Sequence, residues 1–574
     1  MVKIENNFLK NSFSNMKHYL KKQRNSIIYL LILITIVSLI TYNRIMVQVK
    51  MGPVSDSVVF LANALTMAGH GTGYSNMLFP PFFSFVVSIF FKMGYVYSST
   101  IFYIDGLFFV MGVIGLYLLL KTNFKDLESF LGALLYSTFP IILIVMGQGL
   151  SDLPSVSITI WAIYFLILSI NRNSRFFYLA IPLIMLAFLT RYNNALLIFP
   201  LILYLLINRD NLNYKNIFGG FLAAVLVIVP VLIYFYEQFG SILYPFLNFA
   251  SASNMSLGAV RNSFYDPNIF FFLEKMPFLI GIPLFIILLI TIGALFIYTF
   301  YKLIGELRLN KPLSRVLGLN EGLMKYKMLL FVALTLIFLL SFGKTNYLLS
   351  EVLYLLTALI FYEIVKNLNI KDMGLHLLFF SWFMTFFIFH SIFALKDVRY
   401  FVVMAPPLAY FIILGLSEIS KLVKIKFRET NITFVLLAII LSLMAISSAA
   451  SQIPLILQDN QDNVIFNQEI ASAGNWIVVN DPNYRDKNIY SDLWPNFSWY
   501  LKTNVKPVPV FKGNDSFLVG VIDFSFNQAD SDKFNNYLVT HDADYYLSVR
   551  HGLNLTSYVE VKHFGDLIIY KRKF

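Results

Sequence analysis

Long runs of apolar residues recur along almost the whole chain and are separated by short polar segments. A helix needs roughly 20 apolar residues to cross a bilayer core of about 30 Å. Charge-poor windows suited to crossing lie at 26–43, 101–120, 129–148, 153–171, 176–190, 193–207, 217–236, 277–301, 327–342, 346–365, 375–394, 400–417 and 432–450. These thirteen windows predict a mainly α, polytopic membrane protein of about 13 transmembrane helices.

One further apolar window, Phe82–Phe91, is too short to belong to this set. It follows Pro80-Pro81 and stops at Lys92. Ten helical residues span only about 15 Å, which cannot cross a bilayer. The pattern therefore predicts an interfacial helix within the first outer loop.

The distribution of Lys and Arg supports this assignment and sets the orientation. With an inner N-terminus, the inner segments hold 24 basic residues and the outer loops before the C-terminal domain hold 9. Cytoplasmic loops carry the basic excess in membrane proteins. The chain is therefore expected in the plasma membrane as a multi-pass protein, with the basic segment 1–25 in the cytoplasm. The net charge of +12 is a topology signal, so no nucleic-acid partner is expected.

The composition changes after Ala450, and residues 451–574 contain no membrane-length window. Alternating β-branched and aromatic runs predict strands, and three stretches between them predict helices. The expected organisation is a transmembrane domain at 26–450 followed by a small α/β domain at 451–574. Topology places the small domain on the extracellular side. The predicted strands are Asn488–Ser491, Val508–Phe511, Phe517–Ile522, Tyr545–Val549, Val559–Val561 and Leu567–Tyr570.

Composition excludes whole classes of protein. The chain is 58% hydrophobic and 13% charged, with a mean hydropathy of +0.69. Soluble domains carry roughly 45–50% apolar and 25% charged residues, so soluble enzymes are excluded. The absence of Cys removes disulfides, thiolate nucleophiles and Cys-ligated metal centres.

Most of the notable polar side chains lie at the predicted outer ends of the spans, near two long outer loops at 44–100 and 237–276. Loops of this length in a compact protein are usually functional. A carboxylate can take a proton from an acceptor hydroxyl, and fixed cations can hold a phosphate. The residues that could do this are Asp56, His70 in the Gly69–Gly73 turn, Asp152, Arg191, Lys396, Arg399 and Tyr400.

Each candidate also has a structural interpretation. Asp56 and Asp152 both precede helical windows and could be N-caps, and Arg191 or Arg399 could extend to lipid headgroups. The Gly69–Gly73 run is typical of a helix end. Asp105 is expected to be a hydrogen-bonded interface residue. His376 and His390, which share one span, are expected to be packing residues.

The order of these features resembles the GT-C superfamily of membrane glycosyltransferases. The branch it is most similar to contains protein O-mannosyltransferases and the bacterial aminoarabinose transferase that acts on lipid A. The resemblance covers about residues 26–450, and the last 124 residues match only in placement. The motifs that carry it are Pro53–Asp56, Asn63–Leu65, Gly69, Pro80-Pro81 with Phe82–Gly94, Ser151–Pro154, Leu189–Arg191, and Arg399-Tyr400 followed by Ala405-Pro406.

This resemblance implies transfer of a sugar from a polyprenyl-phosphate carrier to an extracytoplasmic protein, glycan or lipid acceptor, by inverting displacement. Asp56 would be catalytic and Asp152 a second acid. Arg191 and Arg399 would contact the donor phosphate, with Tyr400, Lys396 and His70 as further substrate-binding residues.

The chain departs from the family pattern in two places. Ser57 follows Asp56 where many relatives have Glu, which leaves open whether a divalent metal binds at Asp56 and Asp152. A W-W-D-Y-G-like motif is missing, which disfavours en bloc glycan transfer. Two rival functions also remain, a secondary transporter and a non-catalytic envelope protein, although transporters usually show internal repeats and none is visible here.

Overall fold

The computed structural model describes residues 2–70, 76–252, 265–308, 321–366, 370–423, 425–427, 430–512, 515–517 and 526–573. The helices of the first half are α1 (Val2–Met51), α2 (Ser55–Met67), α3 (Pro81–Lys92), α4 (Ser98–Leu120), α5 (Asp126–Ser137), α6 (Pro140–Val145), α7 (Asp152–Asn171), α8 (Phe177–Thr190), α9 (Ile198–Ile207), α10 (Tyr214–Phe239) and α11 (Tyr244–Ala252). Those of the second half are α12 (Phe271–Ile280), α13 (Ile282–Arg308), α14 (Glu321–Ser341), α15 (Tyr347–Val365), α16 (Met373–Ile392), α17 (Ala405–Leu422), α18 (Thr433–Asp459), α19 (Gln461–Asn480), α20 (Trp494–Leu501) and α21 (Gln528–Thr540). Two 3₁₀ helices, Tyr192–Leu197 and Val398–Met404, precede α9 and α17.

The mainly helical membrane fold predicted from the sequence is confirmed. Within the described ranges, eight helices are long and apolar enough to cross a membrane, and a ninth if α12 and α13, bent by 118°, form one broken span. Three of the predicted windows form shorter apolar helices, Ser174–Thr190, Tyr192–Ile207 and Tyr326–Ser341. The number of spans, thirteen, therefore stays a prediction.

The window 129–148 is not one continuous helix. It divides into the end of α5, the short α6 and a loop, with the break at Thr138-Phe139. Phe139 adopts φ −57° and ψ 136°. A residue before proline is pushed out of the α region by the proline ring, so Pro140 ends one helix and begins the next.

Helix α1 continues to Met51, so the loop predicted from residue 44 begins later than expected. Arg44 is fully buried on α1 and donates hydrogen bonds of 2.8 Å to the carbonyls of Leu143 and Ile144, at the end of α6. Asp105 on α4 accepts a 3.0 Å hydrogen bond from the Gly149 amide. The short segment that leads into α7 is thus held from two sides.

The connection between α1 and α4 contains α2 and α3, and α3 is the short apolar helix that the sequence predicts at residues 82–91; its interfacial location stays a prediction. The main core lies among the long helices. Close packing of α4 against α7 depends on Gly112, because a Cβ there would collide with Ser157. The second predicted loop, 237–276, contains α11, and its residues 253–264 lie outside the described ranges.

The C-terminal domain is built on a five-stranded mixed sheet of order β4-β3-β7-β9-β8. Strand β3 is parallel to both β4 and β7, and β9 is antiparallel to β7 and β8. This confirms the small sheet predicted from the sequence, although residues 518–522 of one predicted strand lie outside the described ranges. The described residues also form two short hairpins. The strands within the described ranges are β1 (Lys426–Phe427), β2 (Thr430–Asn431), β3 (Ile489–Ser491), β4 (Val505–Pro507), β5 (Val510–Lys512), β6 (Asp515–Phe517), β7 (Tyr545–Ser548), β8 (Tyr558–Phe564) and β9 (Leu567–Arg572).

A buried ion pair lies at the carboxyl ends of the parallel strands in this domain. Asp492 follows β3, and its Oδ1 lies 2.9 Å from Nη1 of Arg550, which follows β7. The same carboxylate accepts hydrogen bonds from Tyr546, Ser548 and the Val549 amide. Burial raises the pKa of the Asp492 carboxyl, while the charge of Arg550 acts in the opposite direction. With its hydrogen bonds satisfied, the pair joins neighbouring strand ends.

Replacing Arg44 with Met should destabilise the membrane body, because two carbonyls at the end of α6 would lose their donor inside the protein. Leaving buried hydrogen-bonding groups unpaired costs about 1–3 kcal/mol each, so we expect a loss of at least about 2 kcal/mol. The melting temperature in detergent measures this. Arg209→Met is the control, because that side chain is 69% exposed. Equal melting temperatures for the two variants would contradict the role of Arg44.

Candidate functional site

Asp56 lies in the first turn of α2 and points towards a distant part of the chain. The N-cap of α2 is Val54, which has no side-chain acceptor, so the capping interpretation does not fit. Instead, Asp56 Oδ2 lies 2.6 Å from Nη1 of Arg399. The side chains are 34% and 24% exposed, which leaves both accessible from one side.

Asp152 and Arg191 form a second ion pair beside the first. Asp152 is the first residue of α7, and Arg191 ends α8 in an extended conformation. Nη1 of Arg191 donates to Oδ1 of Asp152, whose side chain is only 4% exposed. The positions of α7 and α8, which pack along each other, bring the two groups together.

Arg399 is held by a second carboxylate. Asp397 is the N-cap of the 3₁₀ helix Val398–Met404, where its side chain accepts the Arg399 backbone N–H at 3.0 Å. The other Asp397 oxygen lies 2.7 Å from Nε of Arg399. The guanidinium thus lies between the carboxylates of Asp56 and Asp397, which neutralise its charge from two sides.

Tyr400 links the two pairs. The Cζ atoms of Arg191 and Arg399 lie 5.3 and 5.7 Å from the centroid of its ring. Cations within about 6 Å of an aromatic face are attracted to it. His390 stacks on the same ring at 5.0 Å, with 21° between the planes. One aromatic side chain therefore organises both guanidiniums.

These groups line a cavity of about 380 Å³. Its charged residues are Asp56, Asp152, Arg191 and Arg399, and its wall is otherwise aromatic, aliphatic or neutral and polar. Such a cavity, mostly apolar with a few convergent polar groups, is typical of a small-molecule site. The remaining lining residues are Phe60, Asn76, Leu78, Phe79, Pro80, Leu150, Ser151, Tyr192, Asn193, Asn248, Phe249, Phe389, His390, Phe393, Leu395 and Tyr400.

The chain is similar to a known protein family and to solved structures. Residues 79–234 match the family described as dolichyl-phosphate-mannose-protein mannosyltransferase. Two structures of ArnT from Cupriavidus metallidurans, one bound to undecaprenyl phosphate and one in the apo state, share the fold. Both alignments cover 94% of this chain and 97% of ArnT, with TM-scores of 0.56 and 0.57 and identities of 10% and 13%.

Residues 79–234 therefore resemble that mannosyltransferase family, and the chain as a whole shares the fold of ArnT, in agreement with the predicted resemblance to the GT-C superfamily of membrane glycosyltransferases. At these identities, the likeness to ArnT shows the fold. An apo oligosaccharyltransferase from Archaeoglobus fulgidus aligns over 90% of this chain and 69% of its own, at 13% identity. Its TM-score of 0.47 is too low to carry an argument. The comparison with curated proteins gave no match.

Two predicted substrate-binding residues lie apart from the cavity wall. Lys396 is buried, and its Nζ donates hydrogen bonds of 2.6–2.7 Å to the carbonyls of His390, Ser391 and Phe393. It closes the C-terminal end of α16, since a lysine satisfies the free carbonyls of a helix end. No capacity remains there to bind a phosphate, so we do not retain Lys396 among the donor contacts.

His70 belongs to the end of α2. Its backbone N–H donates to the Leu65 carbonyl, the Gly69 N–H donates to Thr66, and Gly69 has φ +85°. These are the bonds of a Schellman motif, which needs the left-handed conformation that glycine adopts. The helix end predicted at Gly69 is therefore present. The His70 side chain is exposed, and Gly71–Ser75 lie outside the described ranges.

The residues named for a divalent metal do not fit one. Asp56 and Asp152 are each engaged by a guanidinium, and the described part of the chain contains no cluster of three or more His, Cys, Asp or Glu side chains that could hold a metal ion. The charges that face the two carboxylates are cationic side chains. We derive no step through a metal.

Sequence reasoning missed several residues of the site. Asp397 was not among the predicted partners of Arg399. Its position directly before a helical segment is nevertheless typical of an N-cap, because Asp is a preferred N-cap residue. His390, expected to be a packing residue, lines the cavity while its ring nitrogens are buried. Tyr192 and Asn193 follow Arg191 directly, but nothing in their sequence pattern separated them from ordinary span residues.

Proposed function

We propose that the protein transfers a sugar from a polyprenyl phosphate to an acceptor hydroxyl on the extracytoplasmic side of the plasma membrane. The observation that carries this proposal is the pairing of two carboxylates with two guanidiniums in one cavity. The GT-C fold supports it, as does the undecaprenyl phosphate named in one of the ArnT structures. The donor is thus a lipid-linked sugar, and the acceptor is a protein, a glycan or a lipid.

The charged residues that line the cavity have different roles in the proposed reaction. Arg191 and Arg399 would hold the donor phosphate, since guanidinium groups match phosphate oxygens with paired N–H donors. The acceptor oxygen forms a bond to the anomeric carbon as the bond from that carbon to the phosphate oxygen breaks. Asp56 takes the proton of the acceptor hydroxyl, and the polyprenyl phosphate leaves with its charge against the two arginines. Asp152 orients Arg191.

Asp56→Asn is the sharpest test of this mechanism. A general base contributes roughly 10²–10⁴-fold to rate, so the variant should lose sugar transfer on that scale. The measurement is transfer of label from polyprenyl-phosphate sugars by the purified protein. Asp397→Asn is the matched control, because Asp397 contacts the same guanidinium without lining the cavity. Equal losses in both variants would mean that Asp56 only orients Arg399.

Arg191→Ala and Arg399→Ala should each weaken the binding of undecaprenyl phosphate at least about tenfold, because charge interactions are strong in a water-poor cavity. Lysine at either position should restore only part of the affinity if the contact is bidentate. Binding to the purified protein measures this, with Arg209→Ala as an exposed control. Unchanged affinity in both alanine variants would contradict the assignment of these arginines to the donor phosphate and favour the alternative that they extend to lipid headgroups.

The orientation of the chain is tested by thiol labelling, since the native chain has no Cys. If the N-terminus is cytoplasmic, as the sequence predicts, Lys121, Lys125 and Asp210 are in the cytoplasm and the C-terminal domain is outside. Asp492 and Asp152 are buried, so exposed positions serve better. A cysteine at Asp566 should react with an impermeant reagent in intact cells, while one at Asp210 should not; these side chains are 81% and 94% exposed. Labelling at 210 would overturn the orientation.

The same purified protein also tests the two rival functions. Substrate-dependent uptake into proteoliposomes without any transfer of label would favour a secondary transporter. Neither uptake nor transfer, with all glycans and envelope lipids intact in a deletion strain, would favour a non-catalytic protein.

A further inference from the structure

The C-terminal domain contacts the segment that carries Asp56 at two points, one before this residue and one after it. Asn467, on α19, donates a hydrogen bond of 2.9 Å from Nδ2 to the carbonyl of Met51. The following Gly52 has φ +81°, and a Cβ there would lie 3.3 Å from Asn467. The backbone turn four residues before Asp56 is therefore packed directly against the C-terminal domain.

The second contact is made by Trp499 on α20. Its side chain is 4% exposed and belongs to the same apolar cluster as Val58, Leu61 and Leu65 of α2. Its ring stacks on Phe91 of α3, with 6.0 Å between centroids and 24° between planes. A tryptophan of the C-terminal domain thus completes the core around the helix that carries Asp56.

The sequence of α20 explains how one short helix serves two cores. Phe497 and Leu501, four residues apart, share a face and are fully buried in the core of the C-terminal domain. Trp499 lies midway between them in sequence, about 200° around the helix from each, and so faces the other way. The helix is therefore fixed in its own domain while Trp499 projects towards α2 and α3.

Lys502 adds to this contact. Its Nζ lies 3.0 Å from the centroid of the Trp499 ring, and the residue ends α20 in a left-handed conformation with φ +51°. Burial lowers the pKa of Lys502 to about 7.

We propose that Trp499 and Asn467 are positioning residues that hold α2, so that the C-terminal domain is part of the catalytic apparatus. This inference rests on the proposed role of Asp56. Asp56 is 343 positions from its partner Arg399. The two side chains can meet only if the first turn of α2, which carries Asp56, is held next to Arg399. That placement is set by Gly52 on one side and by the Trp499 cluster on the other.

The first test compares transfer and donor binding in the full-length protein. Trp499→Ala should lower kcat by about 10- to 100-fold, the scale expected when a catalytic group is displaced by about 1 Å. Binding of undecaprenyl phosphate should stay near the wild-type value, because Arg191 keeps its partner Asp152 and Arg399 keeps its second partner Asp397. Trp499→Phe keeps an aromatic ring in the cluster and should restore most of the rate.

Trp476→Ala is the matched control. Trp476 lies on α19 and packs against the core of the C-terminal domain, outside the cluster around α2. The Trp476→Ala variant loses a side chain of the same type, from the same domain, as the Trp499→Ala variant does. If Trp476→Ala lowers kcat as much as Trp499→Ala does, the effect is general destabilisation and the proposal is wrong.

A second measurement is independent of any activity. In the Cys-free chain, Asp56→Cys carries the only thiol, and its rate of reaction with a small water-soluble reagent reports how firmly α2 is held. Adding Trp499→Ala should raise this rate, and adding Trp476→Ala should not. An unchanged rate overturns the positioning role. Absence of transfer by the wild-type protein, with a raised rate in the Trp499 variant, overturns the proposed function alone.

Discussion

Charge neutralisation inside an apolar body is the constraint on which the site depends. A buried ion whose partner is removed costs roughly 3–5 kcal/mol, so each charge must be matched where the chain places it. Asp152 is matched by Arg191, and Arg399 is matched by Asp56 and Asp397. These pairs tie α2, α7, the end of α8 and the 3₁₀ helix at 398–404 to one another. The cavity exists where those four elements meet.

The same constraint acts where the partners are backbone groups. Arg44 and Lys396 each satisfy carbonyls at the end of a helix that stops inside the protein. Free carbonyls at a helix end need a donor, and here water cannot supply it. Of the cations near the predicted span ends, Arg44 and Lys396 are thus structural, whereas Arg191 and Arg399 face the cavity.

Much of the architecture follows from periodicity and charge. The apolar windows, the α3 helix and the small sheet could be predicted because they depend on local composition. The break at Pro140 could have been predicted too, because a proline constrains the residue before it. The grouping of Asp56, Asp152, Arg191, Arg399 and Tyr400 could be expected, since all lie at span ends on one side. Their pairing could not, because Asp56 and Arg399 are 343 positions apart. The sequence likewise does not distinguish Lys396 from Arg399, whose side chains point to a helix end and to the cavity respectively.

Each residue of the connection between α16 and the 3₁₀ helix, residues 393–397, has a structural role or lines the cavity. Phe393 and Leu395 line the cavity, and the Ala394 carbonyl accepts a hydrogen bond from the Asp266 amide. Lys396 closes the helix before it, and Asp397 caps the helix after it. An inserted residue would move Lys396 away from the helix end that it closes or Asp397 away from the helix that it caps, and a deleted one would remove either a cap or part of the wall. The length of this connection is therefore as tightly constrained as its composition, and variation in length among natural variants should fall elsewhere in the chain.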